Sequence, residues 1–386
     1  MGTESSTAKL AVAWCTLFVV GTDLFVVSPL LPLLAADFDL PPAAAGLSVT
    51  VFAAFYMMIA PFLGRIADRV GRRRMLVVCL TGFAAANLLT AAASNVSWLL
   101  LARALAGAMT AGVSPSIYAL IGESASPAQR ATWMATAVSG LLLSLSLGAP
   151  LGELAGASLG WARVFDALAG LSLVLVLANN RIWVGETRTP QAPNIGGVPW
   201  GMLAPRLLPT VIWATALYSM YTYIGTWLTR LGFSTDGIAQ AVACYGAGAI
   251  IGAFTGGRIA DRVGAKAATG ISLVGLACSF MLLQLVIGNG ILLGLGFGVA
   301  SIAAQVFFPA QQASLVADFA SCRATVLAWN NSALFLGIAL GSLIGGRAVA
   351  HGSFIGALSL CGAIAFAAYI VNYVVAPEPA ARANPS

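Results

Sequence analysis

Charged residues are scarce in this sequence. Only 8% of its 386 residues are Asp, Glu, Lys or Arg, whereas 59% are hydrophobic. Soluble globular domains carry about a quarter charged residues, so the composition excludes a single globule with a water-facing surface. The chain has one histidine, His351, so the H-E-x-x-H metal motif cannot occur, and no G-x-x-x-x-G-K-[ST] phosphate loop is present. A nucleotide-driven pump on this chain is therefore excluded, and no cofactor or metal is expected.

Long apolar segments take the place of the missing charge. Segments of about 20 residues, enough for a helix to cross a bilayer, recur along the chain with short polar breaks between them. The alternating pattern of a membrane β-barrel is absent, so the sequence predicts an all-α integral membrane protein with twelve transmembrane helices. The predicted spans are residues 10–35, 43–64, 75–95, 98–122, 131–157, 164–183, 206–229, 237–257, 267–288, 290–316, 323–348 and 353–375.

The distribution of basic residues predicts the orientation. With the N-terminus in the cytoplasm, fifteen of the nineteen Lys and Arg residues face inward, as the positive-inside rule favours. We therefore expect a multi-pass protein of the plasma membrane with both termini cytoplasmic. The net charge of +6 is spread over one face of the membrane, with no soluble basic domain that would bind nucleic acid. Membrane lipids are the expected surroundings.

One eight-residue sequence occurs twice. GRIADRVG fills residues 64–71 and again residues 257–264, 193 positions later. Each copy lies between the second and third spans of its half, so six spans repeat in the same orientation. The sequence predicts a six-helix bundle over residues 1–185, a Pro- and Gly-rich cytoplasmic linker over 186–205, and a second bundle over 206–386. In transporters built from parallel repeats, the substrate site lies between the two bundles near mid-membrane.

The first copy extends to GRIADRVGRRRML, residues 64–76, which resembles the signature loop of the major facilitator superfamily. In the fourth span, the sequence Arg103-Ala-Leu-Ala-Gly107 is similar to a conserved arginine element of that family, although Ala106 replaces its usual glutamine. The sequence GTDLFVVSPLLP, residues 21–32, resembles the first helix of the twelve-helix drug:proton antiporter group. Residues 330–341 resemble arabinose-efflux-like members. The resemblance covers the whole chain.

This resemblance implies a fold of two pseudo-symmetric six-helix bundles and a function in transport. A member of this group would be a secondary active transporter, usually monomeric, that exports a drug-like molecule, sugar or other metabolite in exchange for protons. Multidrug efflux is the corresponding activity. A proton-coupled importer or a facilitator of the same fold is the nearest alternative, and a membrane-embedded enzyme is a remote one.

Asp23 is a carboxylate inside an apolar span. It lies fourteen residues after Lys9, roughly 20 Å along the helix and deep in the bilayer. A charge there costs about 2.5–3.5 kcal/mol on insertion scales, and such residues usually line a water-filled path or a proton relay. Because burial disfavours the charged form of a carboxylate, we expect Asp23 to carry protons. The alternative is a polar residue that hydrogen-bonds a neighbouring helix.

Arg103 is the corresponding cation, since an arginine stays protonated inside a protein. It lies about five residues, or roughly 8 Å, from the predicted outer end of the fourth span, which places it shallower than Asp23. The sequence therefore does not predict a direct pair. The family resemblance implies a role for Arg103 in proton coupling, and an arginine that extends to the outer surface is the alternative.

The repeated loops are predicted to form a conformational latch between the two bundles. In the first loop, glycines allow a tight turn, Asp68 can cap a helix, and Arg69, Arg72 and Arg73 face the cytoplasmic lipid surface. Glu123, at the inner end of the fourth span, is the expected partner of Arg72. The alternative is a topology anchor without a gating role. The predicted latch residues are Gly64, Asp68, Arg69, Gly71, Arg72, Arg73, Glu123, Gly257, Asp261, Arg262 and Gly264.

The fifth span carries an element that resembles the glycine-proline motif of the antiporter branch. Its residues are Gly140, Gly148, Pro150 and Gly152, and they would let the helix bend or let another helix approach closely. Packing alone would also explain them. Glu153 follows directly, near the predicted outer end of the span, where an exposed rim residue is expected and a second titrating group is the alternative.

The sequence offers a few aromatic and amide side chains for a substrate cavity. Such a combination suits amphipathic molecules, although packing alone would also explain each residue. The predicted cavity residues are Tyr118, Tyr218, Tyr221, Gln305 and Asn331.

Overall fold

A computed structural model describes residues 2–126, 129–183, 200–319 and 322–375, and every regular element in these residues is helical. The first half contains α1 (Gly2–Asp37), α2 (Pro42–Ala45), α3 (Leu47–Val70), α4 (Arg72–Ala91), α5 (Val96–Ser124), α6 (Arg130–Leu143), a π-helical turn (Ser144–Gly148), α7 (Ala149–Leu159) and α8 (Trp161–Ile182). The second half contains α9 (Trp200–Tyr221), α10 (Ile224–Arg230), α11 (Thr235–Val263), α12 (Ala265–Leu283), a 3-10 turn (Gln284–Val286), α13 (Gly290–Gln305), α14 (Phe307–Asp318), α15 (Arg323–Ala350) and α16 (Phe354–Val375).

The helices account for the predicted membrane spans. Within the described residues, 11 spans are long and apolar enough to cross a membrane. The remaining predicted span, the seventh, corresponds to α9 and α10, and its lower hydropathy reflects Arg206 and two prolines within α9. Four predicted spans are interrupted: the second at Gly46, the fifth by the π-helical turn, the seventh at Thr222, and the tenth at Val306.

The predicted linker ends too late. Residues 184–199 lie outside the described residues, but 200–205 belong to α9 and are helical. Contacts with α14 and α15 stabilise this first part of α9. The Trp200 ring meets the Trp329 ring edge to face at 4.7 Å. Two turns further on, Arg206 forms an ion pair with Asp318 at 3.0 Å.

The repeated sequence forms the same turn twice. In the first copy, Gly71 separates α3 from α4 with φ 94° and ψ 143°. In the second, Gly264 separates α11 from α12 with φ 87° and ψ 148°. A positive φ is the conformation that glycine adopts without steric cost, so the last glycine of each copy is required by the turn. The two halves also have the same N-terminal helix cap. Asn95 and Asn289 each accept a backbone N–H at the start of the fourth span of their own half.

The helices connect at two ends of the molecule, which we call the basic end and the opposite end. The basic end carries Gly71 and Gly264, and the opposite end carries the turns at Pro41, Gly160 and Gly232. Helices of the first half pack mainly on one another, as do those of the second half. Between the halves, α3 packs along α15, α7 and the π-helical turn pack along α11, and α1 packs against α10.

Contacts between the halves close the opposite end. The Ser342 hydroxyl of α15 donates to the Gly46 carbonyl at 2.8 Å, beside the turn that begins α3. A Cβ placed on Gly225 of α10 would lie only 2.5 Å from the Pro29 carbonyl oxygen of α1, so the two helices touch through their backbones. This conformation therefore holds the two halves together at the opposite end.

Candidate functional site

A buried ion pair joins the first and fourth spans. The Arg103 guanidinium of α5 donates through both terminal nitrogens to the Asp23 carboxylate of α1, at 2.8 and 3.2 Å. The Asp23 side chain is 0% exposed and that of Arg103 is 2% exposed. Bidentate pairs of this kind combine charge with fixed geometry, so they are among the strongest hydrogen bonds in proteins.

Two aromatic rings complete the surroundings of Arg103. The guanidinium lies 4.8 Å from the centre of the Phe52 ring of α3 and 5.5 Å from that of Phe165 of α8. Ring faces attract cations, most strongly where water is excluded. The Arg103 Nε is buried without a hydrogen-bond partner. The charge of Arg103 is therefore balanced by one carboxylate and two rings, and sequence reasoning did not identify either Phe52 or Phe165.

The pair corrects two expectations. Arg103 was expected to lie shallower than Asp23, and a direct contact between them was left open; the structure shows that they form a direct pair. Depths counted along two helices from estimated ends ignore helix tilt, and α1 extends to Asp37, beyond its predicted end. Asp23 was also expected to line a water-filled path. In this conformation the carboxylate has no exposed surface and lies inside the first half, between α1, α5 and their neighbours.

The fifth span holds α1 at close range through its glycines. A Cβ on Gly140 would lie 2.5 Å from the Trp14 carbonyl oxygen of α1. Cβ atoms on Gly148 and Gly152 would overlap with the side chains of Thr22 and Val26 in the same helix, at 2.2 Å each. The predicted element therefore allows α1 to approach closely, on either side of Asp23. Pro150 lies in the first turn of α7, directly after the π-helical turn.

Glu153 departs from its expected position. It was expected to be an exposed rim residue, but only 4% of it is exposed, and its Oε2 has no hydrogen-bond partner. The reason is that α7 is covered by α1, α8 and α11 together. Glu153 is thus a buried carboxyl group that the sequence alone did not place correctly.

A tyrosine cluster lies where α1 meets the second half. The Tyr221 hydroxyl donates to the Phe25 carbonyl of α1 at 3.1 Å, two residues after Asp23. The Tyr221 ring stacks on Tyr245 at 4.9 Å and meets Tyr218 edge to face at 6.1 Å. The structure thus brings together two predicted cavity residues, Tyr218 and Tyr221, and adds Tyr245, which the sequence analysis did not select.

Two other predicted cavity residues, Asn331 and Tyr118, lie beside Tyr56 where α3 meets α15. The Asn331 amide of α15 donates to the Tyr56 hydroxyl of α3 at 2.9 Å, and Tyr118 of α5 lies close to Tyr56. The Tyr56 ring also stacks on Phe335 at 3.5 Å. Gln305 ends α13 and is not joined to this group by any hydrogen bond in the described structure. Tyr56 carries no sequence signal beyond being a tyrosine within a span.

The latch residues occupy the basic end, and the structure modifies one of them. Arg73 was predicted to face lipid, but its guanidinium donates to the Asn180 side chain at 2.8 Å and to the Asn180 carbonyl, so it ties α4 to α8. The pairing of Arg72 with Glu123 stays a prediction, as do the roles of Arg69, Asp261 and Arg262. The Asp68 side chain lies outside the described part of the structure. Nothing lies within 4 Å of a Cβ placed on Gly64 or Gly257.

Features of hydrolytic enzymes do not come together here. The chain holds one G-x-S-x-G pattern at residues 156–160, but the Ser158 hydroxyl donates to the Leu154 carbonyl at 2.8 Å within α7. His351 lies at the end of α15. Among the described residues, no group of three or more His, Cys, Asp or Glu could hold a metal ion.

Comparison with known proteins identifies similar chains. The family model described as Major Facilitator Superfamily matches residues 13–252 and 229–386. The chain is 30% identical over 361 residues to the uncharacterized MFS-type transporter YceJ of Bacillus subtilis strain 168, covering 91% of each chain. It is 28% identical over 361 residues to the inner membrane transport protein YdhP of Escherichia coli K12, covering 90% of each.

The fold has a solved counterpart. A bacterial homologue of the human lysosomal transporter Spinster, in an inward-facing and unoccupied conformation, superposes with a TM-score of 0.76 at 18% identity, covering 97% of this chain and 96% of the other. The likeness supports the predicted all-helical architecture. Both sequence relatives are named as transport proteins, which agrees with the expectation that the chain is not an enzyme.

Proposed function

The chain belongs to the major facilitator superfamily of membrane transporters, and on that premise we propose that it exports a small molecule in exchange for protons. The observation that carries the proposal is the ion pair between Asp23 and Arg103. A buried pair is weak as a source of stability, because desolvation offsets most of the attraction. In a chain with so few charges, a fully buried pair in mid-span therefore favours a functional role.

The position of α1 links this pair to the movement of the two halves. Asp23 lies on the side of α1 that faces α5, whereas Phe25 and Pro29 contact Tyr221 and Gly225 of the second half. Protonation of Asp23 removes its charge and weakens the bond to Arg103. We propose that α1 then shifts against the second half, so that proton binding and bundle movement occur together. The proton enters in a conformation in which the carboxylate is exposed.

The proposed substrate site lies between the halves, in the aromatic region beside α1. Tyr218 and Tyr221 supply ring faces there, and Asn331 and Tyr118 lie near Tyr56 on the contact between α3 and α15. Aromatic rings with a few amides favour amphipathic cargo. Gln305, at the end of α13, is also proposed to line the cavity. Drug-like cations, neutral antibiotics, sugars and amino-acid-like metabolites are the classes to compare.

The latch residues at the basic end form the second part of the proposal. The open space beside Gly64 and Gly257 fits a contact that forms only when the basic end closes. Asp68 and the arginines of the first loop would then stabilise that closed state through charge contacts. Both termini and this end are proposed to be cytoplasmic, because basic residues collect there.

Transport in sealed vesicles tests the proposal. The protein is reconstituted with a pH-sensitive dye inside, and a panel of the four substrate classes is offered with and without a proton gradient. We expect substrate movement opposite to proton movement, and Asp23→Asn should reduce the coupled proton flux to that of protein-free vesicles. Asp166→Asn is the matched control, because Asp166 is a surface carboxylate paired with Arg163. It should retain full coupling.

Three outcomes would contradict the proposal. Normal gradient-driven export by Asp23→Asn would remove the coupling role of Asp23. Substrate and proton movement in the same direction would establish import instead. Unchanged turnover of Asp68→Asn in the same vesicles would leave the loop as a topology anchor.

A further inference from the structure

The structure contains a second buried carboxyl group, outside the pair of Asp23 and Arg103. Glu153 lies in α7, in the half of the membrane span nearer the opposite end. It is 4% exposed and forms no ion pair, and its Oε2 accepts no hydrogen bond from any described residue. A buried carboxylate without a cation or donors is disfavoured, so this environment favours the protonated form of the side chain.

The position of Glu153 places it at the contact between the two halves. The π-helical turn that leads into α7 meets α11 at Gly246, where a Cβ would lie 2.3 Å from the Ser146 Cα. Glu153 lies about one and a half α-helical turns beyond the end of that π-helical turn, in α7, which itself packs against α11. The neighbouring residue Gly152 faces Val26 of α1 instead. The closed contact between α7 and α11 therefore contributes to the burial of Glu153, together with α1 and α8.

Among the described residues, no charged group on the helices around α7 forms an ion pair with Glu153. On α1, Asp23 is paired with Arg103, and Asp37 accepts a hydrogen bond from Trp161. On α8, Arg163 and Asp166 pair with each other on the exposed surface. The charged and titratable groups of α11 are Asp236, Cys244, Tyr245, Arg258, Asp261 and Arg262, and the π-helical turn contains none. Tyr245 stacks on Tyr221, Asp236 lies in the exposed first turn, and the last three lie at the basic end.

We propose that Glu153 is a proton-binding site that controls closure of the opposite end. With the halves apart, the carboxyl group meets water and exchanges its proton with the medium on that side. With the halves together, burial against α11 favours the protonated form. The proton on Glu153 returns to the side from which it came, because the backbone contact between Gly246 and Ser146 lies between this site and the basic end. Glu153 is therefore a gate that senses pH on one side and adds nothing to the number of protons carried per substrate.

The sign of the pH dependence follows from this geometry. The closed state binds one proton more than the open state, so acid favours closure and alkali favours opening. The ratio of closed to open molecules should fall by up to about tenfold for each pH unit above the titration range of Glu153 in the open state. This inference rests on alternating access but not on proton-coupled export, so the failure of one leaves the other standing.

Distance measurements at the opposite end test the proposal without any substrate. Spin labels are placed at Leu159 of α7 and Gln240 of α11, both exposed positions on opposite sides of the contact, in a background without native cysteines. Double electron–electron resonance then gives the short-distance and long-distance populations between pH 5 and 9 in liposomes. In the otherwise unmodified chain, we expect the short-distance population to decrease as pH rises.

Variants of Glu153 test whether this residue causes the pH dependence. Glu153→Gln should keep the short-distance population at every pH, because a neutral amide of the same shape needs no proton to be buried. Glu153→Met serves as a second neutral variant, and Asp166→Asn as the matched control that retains the pH dependence. The proposal is overturned if Glu153→Gln and Glu153→Met keep the full pH dependence, or if the unmodified chain shows none. The proton-to-substrate ratio in the vesicle assay should be the same with and without Glu153→Gln; a lower ratio would make Glu153 a carrier and not a gate.

Discussion

At the residue scale, the surroundings of Asp23 and Arg103 are unequal. Arg103 has the rings of Phe52 and Phe165 beside it, and these remain when Asp23 is changed. Among the described residues, Arg103 is the hydrogen-bond partner of Asp23. Loss of the arginine therefore leaves a bare buried carboxylate, whereas Asp23→Asn still offers Arg103 an amide oxygen. The two substitutions should affect stability to different extents.

We predict that Arg103→Met lowers the free energy of unfolding by about 3–5 kcal/mol, the usual effect of leaving one buried charge without its partner. Asp23→Asn should cost less than this. The double variant with both changes should recover much of the loss, because neither charge then remains. Thermal unfolding of the purified protein in detergent compares the three. A double variant no more stable than Arg103→Met would contradict a direct electrostatic role of the pair.

The sequence identified Asp23 and Arg103 separately but did not predict their contact. Asp23 can be identified because a carboxylate inside an apolar span is unusual, whatever the fold. Its contact with Arg103 depends on the tilt and rotation of two helices, which spacing along either helix does not determine. Glu153 was misjudged for a related reason. Its closeness to a predicted span end suggested exposure, but α7 is covered by α1, α8 and α11, the last a helix of the other half.

At the element scale, the fifth span determines how α1 is held. Gly140 faces the backbone of α1, where a Cβ would lie 2.5 Å from the Trp14 carbonyl. A backbone atom cannot move aside as a flexible side chain can, so Gly140→Ala must push the two helices apart. The chain offers a matched control in Gly170 of α8, where nothing lies within 4 Å of an added Cβ. Both glycines lie inside helices, so alanine gains the same helix propensity at each.

We predict that Gly140→Ala destabilises the protein by about 1–3 kcal/mol, the typical cost of overpacking. Gly170→Ala should be neutral or stabilising by up to about 1 kcal/mol. Thermal unfolding in detergent measures both, and the difference between the two variants isolates the contact with α1. Equal effects would mean that the glycine element does not set the separation between the fifth span and α1.

Sequence patterns predicted some element boundaries and missed others. The final glycine of each GRIADRVG copy ends a helix as expected, because the positive φ at Gly71 and Gly264 is a local property of the chain. The interruption between α9 and α10 has no such local signal. It coincides with Tyr223, whose hydroxyl donates to the Ser342 carbonyl of α15 at 2.9 Å. A contact between distant helices accompanies that break, so the periodicity of the seventh span alone does not reveal it.

At the scale of the whole molecule, the repeated sequence predicted two similar halves, and the glycine turn and the asparagine cap recur in each half. The sequence contains no information on which end is closed, because the same residues must form every state of the transport cycle. The structure supplies this in the contacts of α2, α3 and α10 with the other half. Alternating access requires these contacts to separate in every cycle. A covalent bond across them should therefore stop transport.

One pair of positions suits such a bond. A Cβ placed on Gly346 of α15 would lie 3.4 Å from the Ala43 Cβ of α2, close to the 3.5–4.5 Å found in disulfides. The Tyr223 hydroxyl would lie 2.6 Å from that Cβ, so Tyr223→Phe is included to make room. Ala43→Cys and Gly346→Cys are introduced together into a chain whose six native cysteines have been replaced.

We predict that oxidation of this variant forms the disulfide and abolishes transport in vesicles, and that a reductant restores it. The chain with Tyr223→Phe and Ala43→Cys alone is the control and should be unaffected by either treatment. Mass spectrometry of the oxidised protein confirms the bond before transport is measured. Transport at the reduced rate by fully crosslinked protein would show that the opposite end need not open. In that case, neither gating by Glu153 nor alternating access through this contact could describe the cycle, because both require α7 and α2 to part from the second half.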